Sequence, residues 1–270
     1  MFTDTHAHLY HDQFSQDRED MVKRAVDAGV TRLMLPNVDH DTIEIMHALC
    51  EAHPAVCYPM IGLHPCHVGA DNTAAMEEVE QLLRSRWYCA IGEIGIDLYW
   101  DKTRLAQQQE VFRQQVRWAK ELDLPIAIHC RESFAETIAI VEEESRNTAG
   151  DDRLRGVFHC FTGTAEHASR IIALGGFYLG IGGVITYPKG GLAETMALVG
   201  PEHCVLETDA PYLAPVPFRG KRNESSYIPH IAAKLAAVTG RSVEEIARIT
   251  TANASALFNR IPAPTTVTNA

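Results

Sequence analysis

Short apolar or β-branched runs recur near residues 2–5, 31–35, 56–61, 88–92, 125–129, 155–159, 177–181 and 203–207, each followed by a longer stretch of mixed polarity. Runs of this length bounded by turn residues read as buried strands. Between them, 16–28, 40–52, 104–122, 132–145 and 165–174 carry helical spacing, and Gly29, Gly175 and Gly200 stand where a helix ends. Strands that alternate with helices run parallel, because the crossover helix returns the chain to the same edge. Eight such units predict an α/β fold, a (β/α)8 TIM-type barrel, with an open doubly wound sheet as the structural alternative. Past the last strand, 225–239 and 242–258 read as extra C-terminal helices. Residues 1–260 are expected to form one barrel, and 261–270 a disordered tail. No linker or internal repeat points to a second domain.

A chain of 270 residues, 46% apolar and 22% charged, has the material for one large core. Its 24 Lys and Arg against 35 Asp and Glu give a formal charge of -11, a field that repels polyanions. That disfavours a broad nucleic-acid-coating surface. It leaves room for a nuclease whose attraction comes from bound metals and a few arginines at one cleft. The seven cysteines are scattered without a C-x-x-C pair, unlike a disulfide framework or a zinc ribbon, and point to a reducing, cytoplasmic setting. The N-terminus lacks a basic region followed by an apolar one, and no apolar stretch approaches a membrane span. No membrane association and no obligatory protein partner is expected.

The chemistry begins at Thr-Asp-Thr-His-Ala-His (3–8). In an extended segment, residues two apart share a side, so His6 and His8 can chelate one ion. An isolated pair of this kind is weak, but Glu93, His129, His159 and Asp209 recur at the C-terminal ends of other expected strands, the face where barrel active sites gather. His, Glu or Asp at five of eight strand ends is a ligand pattern, not scatter. Glu93, following a buried apolar strand, needs a cation or donors to offset its desolvation, and between two ions it could bridge both. His129 and His159 sit at the same point of similar strands and are expected to hold the second metal. Cys130 and Cys160 follow them, but alternation turns each to the opposite side as a small hydrophobe. Asp209 is expected to bind metal and to accept a proton from water. Glu207, two residues earlier, can support a ligand or serve the barrel interior. His64, at the end of strand three, and Arg131, Arg219 and Arg222 are candidates for holding substrate, with Lys221 in the same charged loop. The remaining histidines fall in helices or ordinary loops.

These residues sit in segments that together resemble the TatD-type metal-dependent deoxyribonuclease family over residues 2–259. The segments are Thr-Asp-Thr-His-Ala-His (3–8), Gly-Leu-His-Pro (62–65), Gly-Glu-Ile-Gly-Ile-Asp (92–97), Leu-Pro-Ile-Ala-Ile-His-Cys-Arg (124–131), His-Cys-Phe-Thr-Gly (159–163) and Leu-Glu-Thr-Asp-Ala-Pro-Tyr-Leu-Ala-Pro (206–215). The resemblance implies a TIM-type barrel, divalent metals on His6, His8, Glu93, His129, His159 and Asp209, and His64 and Arg131 near the substrate. Two departures bear on substrate detail. Arg-Asn-Glu-Ser (222–225) stands where the family usually has proline last, and Gly-Ile-Gly-Gly (180–183) replaces a serine-containing strand end.

The expected activity is hydrolysis of phosphodiester bonds, with Glu93 and Asp209 as the catalytic carboxylates and single strands or 3' or 5' ends of DNA as substrate. Two dications against two carboxylates leave about +2 at the site, which suits a phosphate despite the overall charge. Exonuclease action follows from the family, since no aromatic stacking platform stands out in the sequence. Imidazole-rich sites suit Zn or Mn, whereas Mg prefers oxygen; the family adds Mg, so Mg or Mn is expected for activity, with Zn an alternative occupant. The same residues could polarise a carbonyl, so a deacylase or amidohydrolase acting on an ester, lactone or amide, for example D-aminoacyl-tRNA, is the competing reading. A non-enzymatic descendant would lack a ligand, and all six are present.

Overall fold

The computed structural model describes residues 1–146 and 154–262. Its strands and helices alternate as β1 (Phe2–Asp4), α1 (Arg18–Asp27), β2 (Val30–Pro36), α2 (His40–Ala52), β3 (Cys57–Ile61), α3 (Thr73–Ser85), β4 (Ala90–Asp97), α4 (Leu105–Glu121), β5 (Ile126–Arg131), α5 (Phe134–Arg146), β6 (Gly156–Phe158), α6 (Ala165–Ala173), β7 (Phe177–Ile181), α7 (Leu192–Val199), β8 (Cys204–Leu206), α8 (Ile228–Thr239) and α9 (Val243–Leu257). All strand pairs are parallel and follow chain order from β1 to β8. Thr5 N donates to Leu206 O at 3.0 Å and Asp209 N to His6 O at 2.9 Å, which brings the first and last strands together and closes the (β/α)8 barrel.

All eight expected strands form, with instructive differences at their ends. β4 runs on to Asp97, so Glu93 lies inside a strand, whereas β8 stops at Leu206 and leaves Glu207 and Asp209 in the following loop. The expected helix over 225–239 divides into a 3-10 turn at Ser225–Tyr227 and α8, which has proline in its first turn, where the missing N–H costs nothing. Helices α3 and α7 fill intervals in which the sequence reading named none; neither has a side-chain cap, the signal that marks α9 through Ser242 and Glu245. Ile261, first residue of the expected tail, is buried, and 263–270 lie outside the described residues. Among the described residues no helix is long and apolar enough to cross a membrane.

Period-two alternation sorts the strands into two cores. Leu33, Leu35, Ile61, Ile91, Ile126, Ile128, Leu179 and Leu206 pack against the surrounding helices. Met34, Met60, Ala90, Ala127, Val157 and Val205 form a second cluster, and Ala254, Leu257, Phe258 and Ile261 at the end of α9 pack against it. The barrel is therefore a packed interior rather than a pore, and its chemistry must sit at the opposite, C-terminal mouth.

The seam between β1 and β8 is pinned by a fully buried carboxyl. Asp4 accepts from Thr208 N at 2.9 Å, Thr208 Oγ1 at 2.6 Å, Ser225 Oγ at 2.6 Å and His6 N at 3.3 Å. Burial pushes it up to about 7 against the pull of these donors. Asp4→Ala strands buried donors at the closing seam and is expected to cost about 3 kcal/mol, which lowers the thermal midpoint by about 10 °C in a chain of this size. Thermal unfolding followed by circular dichroism checks this, and an unchanged midpoint would contradict it.

Candidate metal centre

The inner face of the barrel continues upward by the same period. Two residues beyond inward-packed Ala127, Val157 and Val205 come His129, His159 and Glu207. Glycine makes the room: a β-carbon on Gly180 would stand 2.2 Å from Glu207 Oε2, and one on Gly95, which has φ +145°, would stand 2.0 Å from the His129 carbonyl oxygen. The first lets a buried carboxylate enter from the loop after β8, and the second lets β4 approach β5 beside His129.

Glu93, 3% exposed, lies at the centre. Its Oε2 is 3.1 Å from His6 Nε2 and 3.5 Å from His8 Nε2, while its Oε1 is 2.8 Å from His129 Nδ1, 2.8 Å from His159 Nε2 and 3.3 Å from His64 Nε2. Asp209 completes the first group, with Oδ1 3.5 Å from His8 Nε2 and 3.9 Å from His6 Nε2, held in a left-handed backbone conformation at φ +57°. His6 and His159 stack at 3.9 Å. All six residues expected as ligands thus converge, and His64 joins them.

Hydrogen bonds behind these side chains fix which ring nitrogens carry protons. Tyr10 Oη gives its only hydrogen to Pro36 O at 2.6 Å, so its 2.9 Å contact with His8 Nδ1 requires that nitrogen to donate; the neutral ring then turns a bare Nε2 to the cluster. Asp97 Oδ2 lies 2.8 Å from His129 Nε2 and draws the proton there, leaving Nδ1 as the acceptor that faces Glu93. His64 is the reverse: its Nδ1 accepts from Cys66 N at 3.1 Å, so the neutral ring presents an N–H at Nε2. Burial holds that ring neutral, its pKa pressed down to about 4. His64 is therefore a donor facing the cavity, not a bare lone pair.

The donor chemistry fits divalent cations. Two groups, His6 with His8 and Glu93, and His6 with His159 and Asp209, could each hold an ion; His64 lies close to Glu93 and His129 as well, but with its Nδ1 taken by Cys66 N it turns an N–H toward them. Atoms bound about 2.0–2.2 Å from one cation lie roughly 3–3.5 Å from one another, and the 3.3 Å between His6 Nε2 and His8 Nε2 has that spacing. Lone pairs on His8 and His129 face carboxylate oxygens, which is repulsive unless positive charge lies between them. Among the protein groups alone, protons supply it. Burial opposes charge on His8, His129 and His159, yet their neighbours outweigh it and push all three up: Tyr10, then Asp209 and Glu93, at His8, and the surrounding carboxylates at His129 and His159. Burial likewise raises Glu93 and Asp209, but the surrounding histidines hold both below the usual carboxylate range.

The mouth opens into a cavity of about 700 Å³ whose wall includes His8, His64, Glu93, His129, His159, Asp209 and Arg131. The other expected cations lie elsewhere. Arg222 grips both oxygens of Asp17 at 2.7 Å and the Gln13 carbonyl at 2.7 Å, a fork already occupied in tying the loop to α1. Arg219 is exposed over the Tyr187 ring at 4.5 Å, off the cavity wall, and Lys221 is exposed in the same loop. Cys130, within β5, packs against the helix-side core as expected although it also borders the cavity, whereas Cys160, expected to turn away, is on the wall because it takes φ +46° beyond the end of β6. Burial pushes both thiols up, and neither belongs to a group that could hold a metal. Glu207 is fully buried, accepts from Cys160 N and stands 3.6 Å from His159 Nδ1, so it serves the interior and the ring beside it. Sequence reasoning passed over Tyr10 and Asp97. Tyr10 extends the 6, 8, 10 alternation, and Asp97 closes the 92–97 segment, signals that were there to be followed.

The chain matches the family model described as TatD related DNase over residues 3–259. It is 38% identical over 263 residues to a Bacillus subtilis protein named as the uncharacterized metal-dependent hydrolase YabD, an alignment covering 96% of this chain and 99% of that one. It is 36% identical over 254 residues to a protein of Pantoea vagans named 3'-5' ssDNA/RNA exonuclease TatD, covering 91% and 95% of the two. Among solved structures, the TatD homologue YjjV of Escherichia coli superposes with a TM-score of 0.87 at 31% identity, covering 96% of this chain and 98% of that one. A barrel with a histidine and carboxylate cluster at its C-terminal mouth, aligned nearly end to end with such relatives, belongs to the TatD family of metal-dependent hydrolases.

Proposed function

We propose that this hydrolase cleaves phosphodiester bonds at the ends of single-stranded nucleic acid, DNA foremost, using two divalent ions held by His6, His8, Glu93, His129, His159 and Asp209. The observation that carries the reading is Glu93, a buried carboxylate with one oxygen directed at each of two histidine groups. A single chelating site needs no such straddling acid. The name of the Pantoea relative supports the substrate class.

Bound there, divalent cations supply Lewis acidity toward a phosphate oxygen and make an attacking water more acidic, with Mg or Mn favoured for turnover and Zn compatible with the imidazoles. Asp209, held in its ionised form and facing the cavity, accepts the proton of that water. His64 offers its Nε2 hydrogen to the phosphate, and its depressed pKa keeps it a neutral donor throughout the neutral range. Arg131, exposed on the cavity wall, provides a guanidinium for a neighbouring phosphate.

End-labelled single-stranded DNA incubated with metal-stripped protein should stay intact and shorten stepwise once Mg or Mn is restored. Asp209→Asn should lower kcat by about a thousandfold. Turnover of small esters or lactones with no shortening of DNA would replace this reading with a carbonyl hydrolase. Tyr10→Phe removes the acceptor that fixes the His8 ring and should weaken Mn binding about tenfold by calorimetric titration; wild-type affinity in that variant would remove His8 from the proposed ligand set.

A further inference from the structure

The cavity mouth carries aromatic surface that neither the fold nor the metal cluster requires. Trp100, in the loop after β4, is 70% exposed and forms part of the cavity wall. Tyr99 beside it is 48% exposed, their rings perpendicular at 4.8 Å, and the Arg131 guanidinium stacks 3.8 Å from the Tyr99 centroid. Because strand order runs around the barrel, the loop after β8 lies across the mouth from the loop after β4. There Tyr212 is 46% exposed on the cavity wall. Leaving so much aromatic surface in water at a site mouth is unfavourable unless something covers it.

Both loops are tied to the site. Asp97 Oδ1 accepts from Tyr99 N at 2.9 Å and Trp100 N at 3.1 Å, while its other oxygen holds His129. Asp209 O accepts from Tyr212 N at 2.8 Å. The aromatic groups are thus set at fixed positions relative to the reacting centre, as a stacking surface must be to confer order at little entropic cost.

Resting on the nuclease reading above, we infer that Trp100, backed by Tyr99 and Arg131, and Tyr212 across the mouth are stacking subsites for the unpaired bases that flank the scissile phosphate. The occupant is single-stranded nucleic acid because a duplex keeps its base faces stacked inside, whereas every unpaired base offers a face to an indole or phenol. The chain's charge of -11 strengthens the case: with the general field repelling a polyanion, stacking and the local cations must supply the affinity.

The test uses the metal-loaded full chain and two uncleavable probes of equal length and charge, a phosphorothioate oligo(dT) ten-mer and its abasic counterpart, followed by fluorescence anisotropy. Trp100→Ala and Tyr212→Ala should each weaken binding of oligo(dT) about tenfold, Trp100→Phe should recover most of the loss, and the abasic probe should bind weakly to wild type and variants alike. Cleavage of ordinary oligo(dT) by wild type, together with Trp100→Ala binding as tightly as wild type, overturns the stacking subsites and leaves the nuclease reading standing. Absence of both cleavage and binding by wild type overturns both. Equal affinity of wild type for the two probes also overturns the inference, since the backbone alone would then account for binding.

Discussion

A carboxylate buried in the mouth of a barrel costs several kcal/mol in lost hydration unless positive charge accompanies it. Glu93 is in that position, and the surrounding architecture answers it with histidines on both of its oxygens. Those rings are themselves directed from behind, His8 by Tyr10 and His129 by Asp97, so their lone pairs meet at the centre rather than finding separate partners. The cluster is consequently rich in acceptors, which protons draw together among the protein groups alone and a dication would draw together in their place.

The barrel supplies the rigidity this arrangement needs. The cluster draws residues from β4 and β5 and from positions just beyond β1, β6 and β8, and those ends stay in register only if the sheet closes. Asp4 serves that closure beneath His6, binding the loop after β8 and the turn before α8 together. Two local features acquire physical sense here. Ser225 contributes a hydroxyl to Asp4, a bond that proline could not make, and Gly180 leaves the space that the buried Glu207 carboxylate fills.

Most of this plan was legible because it obeys two short periods. Strand alternation placed His6 beside His8, and repetition of similar strand ends singled out His129 and His159. What resisted reading lies where periodicity lapses or where partners are distant in sequence. Cys160 and Asp209 take left-handed backbone conformations, so alternation misdirected the cysteine. Arg222 looked free because its partner Asp17 is 205 residues away, and a charged loop gives no sign that its charges are already paired. The Tyr99 and Trp100 rings were visible as residues but not as a surface, since only the barrel's order sets them across from Tyr212.

Under the proposed function, Glu93 would lie between two divalent ions. Crystals of the full chain grown with Mn and measured at a wavelength where Mn scatters anomalously test it without reference to any substrate. The account predicts two anomalous peaks, one on the side of Glu93 facing His6 and His8 and the other on the side facing His129 and His159. A single peak, or peaks bound away from Glu93, would contradict it.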